Sequence, residues 1–267
     1  MGGVLATHNL KISVDQEVTV LPKRRLVEGV TALYVDDHLV VVEKPEGLLS
    51  VATDFETKKT LHAMLKKSYP TVWPVHRLDR ETSGVMVFAL SYAAKEGLKK
   101  QFMTHEIYRE YQALVDGAFS GKGSWKHEIY EDASYFMRVV SPNAKKPEQT
   151  HTQVALMPKR TPKQHPINEE DIDIHIKSCP KESELAITHY EALEQKKWST
   201  RVKFVLETGK KNQIRVQAAH EGHPIVGDKK YGSKNMFLKR LALHAHRLEF
   251  THPVTQKRLT FTSPTPF

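Results

Sequence analysis

Val75-His76-Arg77-Leu78-Asp79-Arg80-Glu81-Thr82-Ser83-Gly84 runs directly into Val85-Met86-Val87-Phe88-Ala89-Leu90. The second half is a continuous apolar run of the length of a buried strand, so the polar half sits at the mouth of a sheet. It places one carboxylate, Asp79, between two guanidinium groups. A neighbouring Arg77 or Arg80 would hold that carboxyl below the ordinary carboxylate range and keep it ionised at neutral pH. Such a state suits a nucleophile or a fixed negative charge, not a general acid. A turn whose aspartate pairs with surface arginines, worth about 0–1 kcal/mol, has the same charge pattern, and on that pattern alone it is the better reading.

Outward from this stretch, residues 32–43 read as a hairpin. Leu33-Tyr34-Val35 and Leu39-Val40-Val41-Val42 flank a turn at Asp36-Asp37-His38, and Lys44-Pro45-Glu46-Gly47 ends the second strand. Leu61, Met64 and Leu65 at helical spacing, with Thr60 as N-cap, predict a helix over 60–68. Ser91 caps a second, with Ala94, Leu98 and Phe102 on its apolar face. Glu110 to Val115 is strand-like, and Asp116-Gly117 closes it. The pattern then weakens. Residues 141–181 carry six prolines and read as an irregular excursion with a short strand near 153–157. Strands resume over 186–193 and 198–206, and Thr208-Gly209-Lys210-Lys211-Asn212 turns into a helix that ends at Gly222. Residues 1–25, with a strand-like run over 14–21, are too few to fold alone and read as an N-terminal edge extension to a domain spanning 26–267.

Forty Lys and Arg against 31 Asp and Glu give the 267-residue chain a formal charge of +9, which favours a polyanionic partner such as nucleic acid. The one cysteine, Cys179, excludes an internal disulfide and fits a reducing compartment. No apolar run reaches the roughly 18 residues of a membrane span, and a cytoplasmic location is expected.

Besides the Asp79 turn, three clusters compete as sites. Thr208 to Arg215 puts polar donors at a helix start, where an anion is welcome. His220, His223, His244 and His246 invite a metal, yet His220-x-x-His223 lacks metalloprotease spacing and no carboxylate or cysteine completes a ligand set. Tyr108 and Tyr111 offer faces for a nucleobase. Each alone is better read as structural: a capped helix, packed histidines, strand tyrosines.

Together they resemble a family. His76-Arg77-Leu78-Asp79-Arg80-Glu81-Thr82-Ser83-Gly84 is similar to the signature of the RluA family of RNA pseudouridine synthases. Tyr34 to Gly47 resembles its first motif and Arg109 to Gly117 its tyrosine motif. Thr208 to Val216, continued by Gly222 to Gly232, resembles its third. Leu243-His244-Ala245 with Phe250-Thr251-His252-Pro253 resembles its C-terminal strand pair. The resemblance implies an α/β (α+β) fold with a central mixed, largely antiparallel sheet flanked by helices and an active-site cleft across it. It gives residues 1–25 a second reading, as the remnant of an RNA-binding domain. It makes Asp79, Tyr111 and Arg215 the catalytic residues: Asp79 the carboxylate, Arg215 its ion-pair partner, and Tyr111 the ring that stacks on the target uracil and takes part in proton removal from C5, with Ile214 the aliphatic wall beside it. Arg77 would enter the space the base vacates, and Lys210 would contact substrate. The chain departs from the family's Thr-Gly-Arg-x-His-Gln-Ile-Arg-Val-His at Lys210, Asn212 and Gln217. Lysine loses the guanidinium fork, and the two amides keep hydrogen bonding without a titratable ring.

The implied activity is a cofactor-independent, metal-free isomerisation of uridine to pseudouridine in structured RNA, ribosomal or transfer. Either proposed route, attack of a carboxylate on the sugar or proton removal to a glycal, asks for an ionised Asp79. A monomer with no membrane partner is expected. An RNA-binding or folding factor without turnover, and a histidine metal enzyme, are the competing readings. The first is opposed by the joint presence of Asp79, Tyr111 and Arg215.

Overall fold

The computed structural model describes residues 30–53, 59–140, 183–235 and 237–267, so the 1–25 extension, its strand over 14–21 and the excursion with its strand over 153–157 lie outside the described residues. Eleven strands and three α-helices follow in the order β1 (Thr31–Val35), β2 (Leu39–Lys44), α1 (Leu61–Leu65), β3 (Trp73–Pro74), β4 (Ser83–Ala89), α2 (Tyr92–Met103), β5 (Tyr108–Asp116), β6 (Lys122–Glu131), β7 (Met137–Val139), β8 (Glu184–Gln195), β9 (Ser199–Leu206), α3 (Gln213–His220), β10 (Leu243–Thr251) and β11 (Arg258–Thr262). They make one sheet in the order β1-β2-β4-β10-β5-β9-β8-β6-β7, with β3 added to β4 and β11 to β10. The mixed, largely antiparallel α/β architecture implied by the resemblance is the observed one.

The two apolar runs predicted from sequence become β2 and β4, paired antiparallel and buried on both faces. On one face α1 and α3 cover them and their neighbours, through Leu61, Leu65, Ile214 and Ala218. On the other, α2 packs Ala94 and Leu98 against Val41, Val87 and Phe250. Both predicted caps are present: Thr60 Oγ1 accepts from Ala63 N and Ser91 Oγ from Ala94 N. The Asp36 turn closes β1–β2 by accepting from His38 N and Leu39 N, 2.8 Å each.

Two details differ from the sequence reading. β6 and β7, where the pattern weakens, form an outer hairpin whose few buried side chains include Trp125, Ile129 and Met137. An edge strand with so sparse an apolar alternation carries little periodic signal. The presumed C-terminal strand pair also has a different composition. Leu243 through Thr251 is the single strand β10, and its hairpin partner is β11.

Among the described strands, the one parallel pairing is the seam between β4 and β10, only two residue pairs long, His244↔Ser83 and Ala245↔Gly84. Gly84 has φ +121, and a Cβ there would lie 2.2 Å from the Ala245 carbonyl oxygen, so this approach requires glycine. The same lateral row continues through Tyr111 on β5 and Phe204 on β9. Small residues therefore lie on one side of Tyr111 and an aromatic wall on the other. Because β4 begins at this seam, the loop before it delivers Asp79 beside Tyr111.

Two neutral histidines sit in this frame. His244 is fully buried between Ser83 Oγ (2.8 Å) and Ser263 Oγ (3.0 Å). His76 accepts from Val87 N and stacks on Phe102 at 4.7 Å. Burial holds His244 down at about 4 and His76 at about 3. Unfolded, each ring takes a proton near pH 6.5, so below that pH the unfolded chain binds more protons than the folded one. Stability is therefore full above about pH 6.5 and falls as pH drops toward 4, by up to about 1.4 kcal/mol per pH unit for each ring. Urea midpoints measured between pH 7.5 and 4.5 should decline steeply below 6.5. A midpoint that stays flat to pH 4.5 would show that both rings are already protonated in the native protein.

Candidate active site

The Asp79 loop is clamped from two sides before any charge pairing is counted. Ser50 Oγ donates to Leu78 O (2.7 Å) and accepts from Leu78 N (3.0 Å). Lys44 is fully buried at the end of β2, and its ammonium donates to Pro45 O, Leu48 O and Arg80 O at 2.9, 2.6 and 3.1 Å. Three carbonyls compensate a charge that burial has weakened, to a pKa of about 8. Arg80 turns away from Asp79 and donates to Gly47 O at 3.0 Å. The sequence reading treated Lys44 only as the end of a strand and did not single out Ser50. Both tie the first motif to the loop that carries Asp79.

A pocket opens over the seam, lined by Arg77, Asp79, Thr82, Tyr111, Lys210, Asn212, Ile214 and Arg215 with Leu78, Leu206, Gln213 and Leu243. All six residues expected from the resemblance therefore meet in one place, drawn from the loop before β4, from β5 and from the start of α3. Tyr108 does not. Alternation along β5 puts it on the other face, where its hydroxyl donates to Glu110. Tyr111 is buried and its phenol is pushed up to about 12, so the ring is neutral. Ile214 is 4% exposed beside it. Arg77 lies exposed at the mouth, and the Lys210 ammonium is held at the rim by Glu184 at 2.7 Å. Thr82 Oγ1 is buried against the pocket and lacks a hydrogen-bond partner among the described residues.

Arg215 faces Asp79 as expected, at 3.7 Å between Nη1 and Oδ2. Its principal bonds go elsewhere. Nε and Nη2 make a two-pronged contact with Asp228 at 2.7 and 2.8 Å, while Nη1 also approaches Glu81 at 3.3 Å. The Arg215 side chain is 6% exposed and that of Asp228 is 0% exposed. Asp228 follows Gly227, where φ is +80 and a Cβ would meet Arg240 O at 2.0 Å. Asp228 lies within the Gly222 to Gly232 motif, where its sequence context assigns it no role, because an aspartate after glycine has the composition of a turn.

The electrostatics of Asp79 reverse the first expectation. Burial pushes its carboxyl above the ordinary value. Arg215 opposes that most, Glu81 adds to it, and Arg77 and Lys230 pull back. The neighbouring arginines are not what sets its charge: Arg77 contributes less than Arg215, and Arg80 is bonded elsewhere.

The histidines considered as metal ligands are dispersed. His223 Nδ1 bonds Asp116 O, His246 Nδ1 bonds Ser263 O, His244 lies between serines and His220 packs edge-on against His127. Among the described residues, no group of three or more His, Cys, Asp or Glu is arranged to hold a metal ion. Nor, among them, is any helix long and apolar enough to cross a membrane.

The sheet thus sets the Asp79 carboxylate at a parallel seam, facing a buried tyrosine and a buried arginine. The sequence pattern of the family described as RNA pseudouridylate synthase matches residues 38–220. The dual-specificity RNA pseudouridine synthase RluA of Pasteurella multocida is 33% identical over 239 residues, 88% of this chain and 93% of that one. Its Escherichia coli counterpart is 34% identical over the same shares. The structure of human RNA pseudouridylate synthase domain containing 1 superposes with a TM-score of 0.64 at 22% identity, covering 91% of this chain and 86% of that one, which speaks to the fold. The chain belongs to the RNA pseudouridylate synthase family, isomerases that convert uridine in RNA to pseudouridine.

Asp228→Asn should take from the buried Arg215 guanidinium its two-pronged charge partner, leaving the longer contacts to Glu81 and Asp79, and cost about 3 kcal/mol of unfolding free energy. Urea denaturation at pH 7.5 measures it. A loss no larger than that of an exposed pair, about 1 kcal/mol or less, would mean that the Arg215–Asp228 contact is not holding the site.

Proposed function

We propose that this pocket isomerises a uridine in structured RNA, transfer or ribosomal, with Asp79 as the catalytic carboxylate. Arg215 is its charge partner and Tyr111 the stacking ring. Arg77 and Lys210 contact the RNA around the site, and Ile214 closes the wall beside the base. The observation that carries this reading is the convergence of Asp79, Tyr111 and Arg215, from three distant segments, on one pocket. Small residues beside Tyr111 leave room for a flat base, and a neutral ring is suited to stacking on it.

The reaction breaks the N1–C1′ bond, turns the detached uracil and joins C5 to C1′. The hydrogen on C5 leaves as a proton and N1 gains one, so atoms and electrons balance without a cofactor. Asp79 acts at the sugar in its ionised form. Burial works against that form, and Arg215 restores part of it. The uridine leaves its stack to enter, at a cost of roughly a few kcal/mol that is lowest in loops. Phosphate contacts from a chain of charge +9 offset part of that cost. The bacterial relatives carry dual specificity in their names, and this supports a substrate read more by loop shape than by long sequence. We assign residues 26–267 to the catalytic unit and 1–25 to an extension. Cytoplasmic RNA is the substrate pool such a chain would meet.

RNA from a strain lacking the gene, incubated with purified protein, should gain pseudouridine at one or a few positions. Asp79→Asn should bind the same RNA and form none. Equal product from wild type and Asp79→Asn, or product from neither, would refute the assignment.

A further inference from the structure

We propose that Asn212 is the positioning residue for Asp79: its side-chain amide, set in a left-handed turn ahead of α3, holds the carboxylate with two hydrogen bonds at a place where the family carries histidine. The proposal rests on the reading of Asp79 as the catalytic carboxylate and adds to it what fixes that carboxylate's rotamer.

Asn212 stands at the N-cap of α3 with φ 52 and ψ 23, is 7% exposed, and makes no side-chain cap bond. A cap asparagine ordinarily turns back on the first helical N–H groups. Here Gln213 does the local work instead, accepting from Lys210 N and Thr208 Oγ1 at 2.9 Å each. The Asn212 amide is left to point into the pocket. Amide nitrogen and oxygen are told apart by their hydrogen bonds. With the nitrogen toward Asp79, it donates to Oδ2 at 2.7 Å and Oδ1 at 3.2 Å, while the oxygen accepts from Lys230 Nζ at 3.3 Å and Tyr231 OH at 3.1 Å. The reverse orientation keeps a 3.1 Å bond from the amide nitrogen to Tyr231 OH and a 3.4 Å contact from Arg215 Nη1, which has Glu81 at 3.3 Å in either case, but it sets the amide oxygen against the carboxylate and the amide nitrogen against the Lys230 ammonium.

Both ends of the amide are thus specified. Lys230 and Tyr231 belong to the same turn as Asp228, so one segment grips Arg215 through its carboxylate and Asn212 through its ammonium and phenol. The charged and titratable groups facing Asp79 are Arg77 and Glu81 from its own loop, Lys44 from β2, Tyr111 from β5, Arg215 from α3 and Lys230. Beside these groups Asn212 is an uncharged donor. Asparagine and histidine both tolerate positive φ, so the backbone accepts either. A histidine would donate through a ring whose charge changes near neutrality, whereas the amide donates at every pH.

The test uses RNA labelled with [5-³H]uridine from a strain lacking the gene, with single-turnover tritium release followed from pH 5 to 8. Asn212→Gly removes the amide and relaxes the backbone, so its fold, checked by its melting curve, is not strained. Its rate at pH 7 should fall about 10- to 100-fold. The acid limb should move to higher pH, while the RNA concentration for half-saturation stays within about twofold. Asn212→His should recover most of the neutral rate. With Asp79→Asn inactive as a control, a wild-type rate and acid limb in Asn212→Gly would overturn the proposal. So would weakened RNA binding with the limb unmoved, which would make Asn212 a substrate contact. Activity in Asp79→Asn would instead overturn the reading on which the proposal rests.

Discussion

A guanidinium buried to 6% exposure persists only if its charge is answered, and in this protein Asp228 answers it with two hydrogen bonds. That contact fixes the plane and direction of Arg215 and leaves Nη1 to face Asp79 and Glu81. Without it, the start of α3 would have no charged tie to the turn behind it, and Ile214 and Asn212 would lose their registration over Tyr111. The Asp79 carboxylate is thus governed by an ion pair to which it does not belong.

Around that pair the sheet supplies geometry and little else. The parallel seam of β4 and β10 is short, and at it Gly84 and Ala245 approach so closely that no side chain fits between them. The pocket lies beside it, next to Tyr111. Lys44 and Ser50 then hold the Asp79 loop by its carbonyls and N–H, so the carboxylate is placed before any substrate arrives. Preorganisation of this kind removes reorganisation cost from the chemical step.

Much of this was legible in the chain. The runs over Leu39–Val42 and Val85–Leu90 announced buried strands, and Thr60 and Ser91 announced helix starts, because those signals are local. The five ordered motifs led one to expect Asp79, Tyr111 and Arg215 together, and they line one pocket, although no charge pattern near Asp79 would have chosen Arg215. What escaped was tertiary. Asp228 has the local composition of a turn, Lys44 that of a strand end, and β6 that of a polar edge. The pKa of Asp79 was expected to fall because sequence shows neighbouring charges, and it rises because only packing shows desolvation.

The most direct measurement is the titration of the Asp79 carboxyl by ¹³C NMR in the wild-type protein and in Arg215→Met. A wild-type midpoint above the ordinary aspartate value, rising further when Arg215 is replaced, is the predicted result. A midpoint below the ordinary value, or one that Arg215→Met leaves in place, would contradict the claim that burial and Arg215 together set the charge of this site.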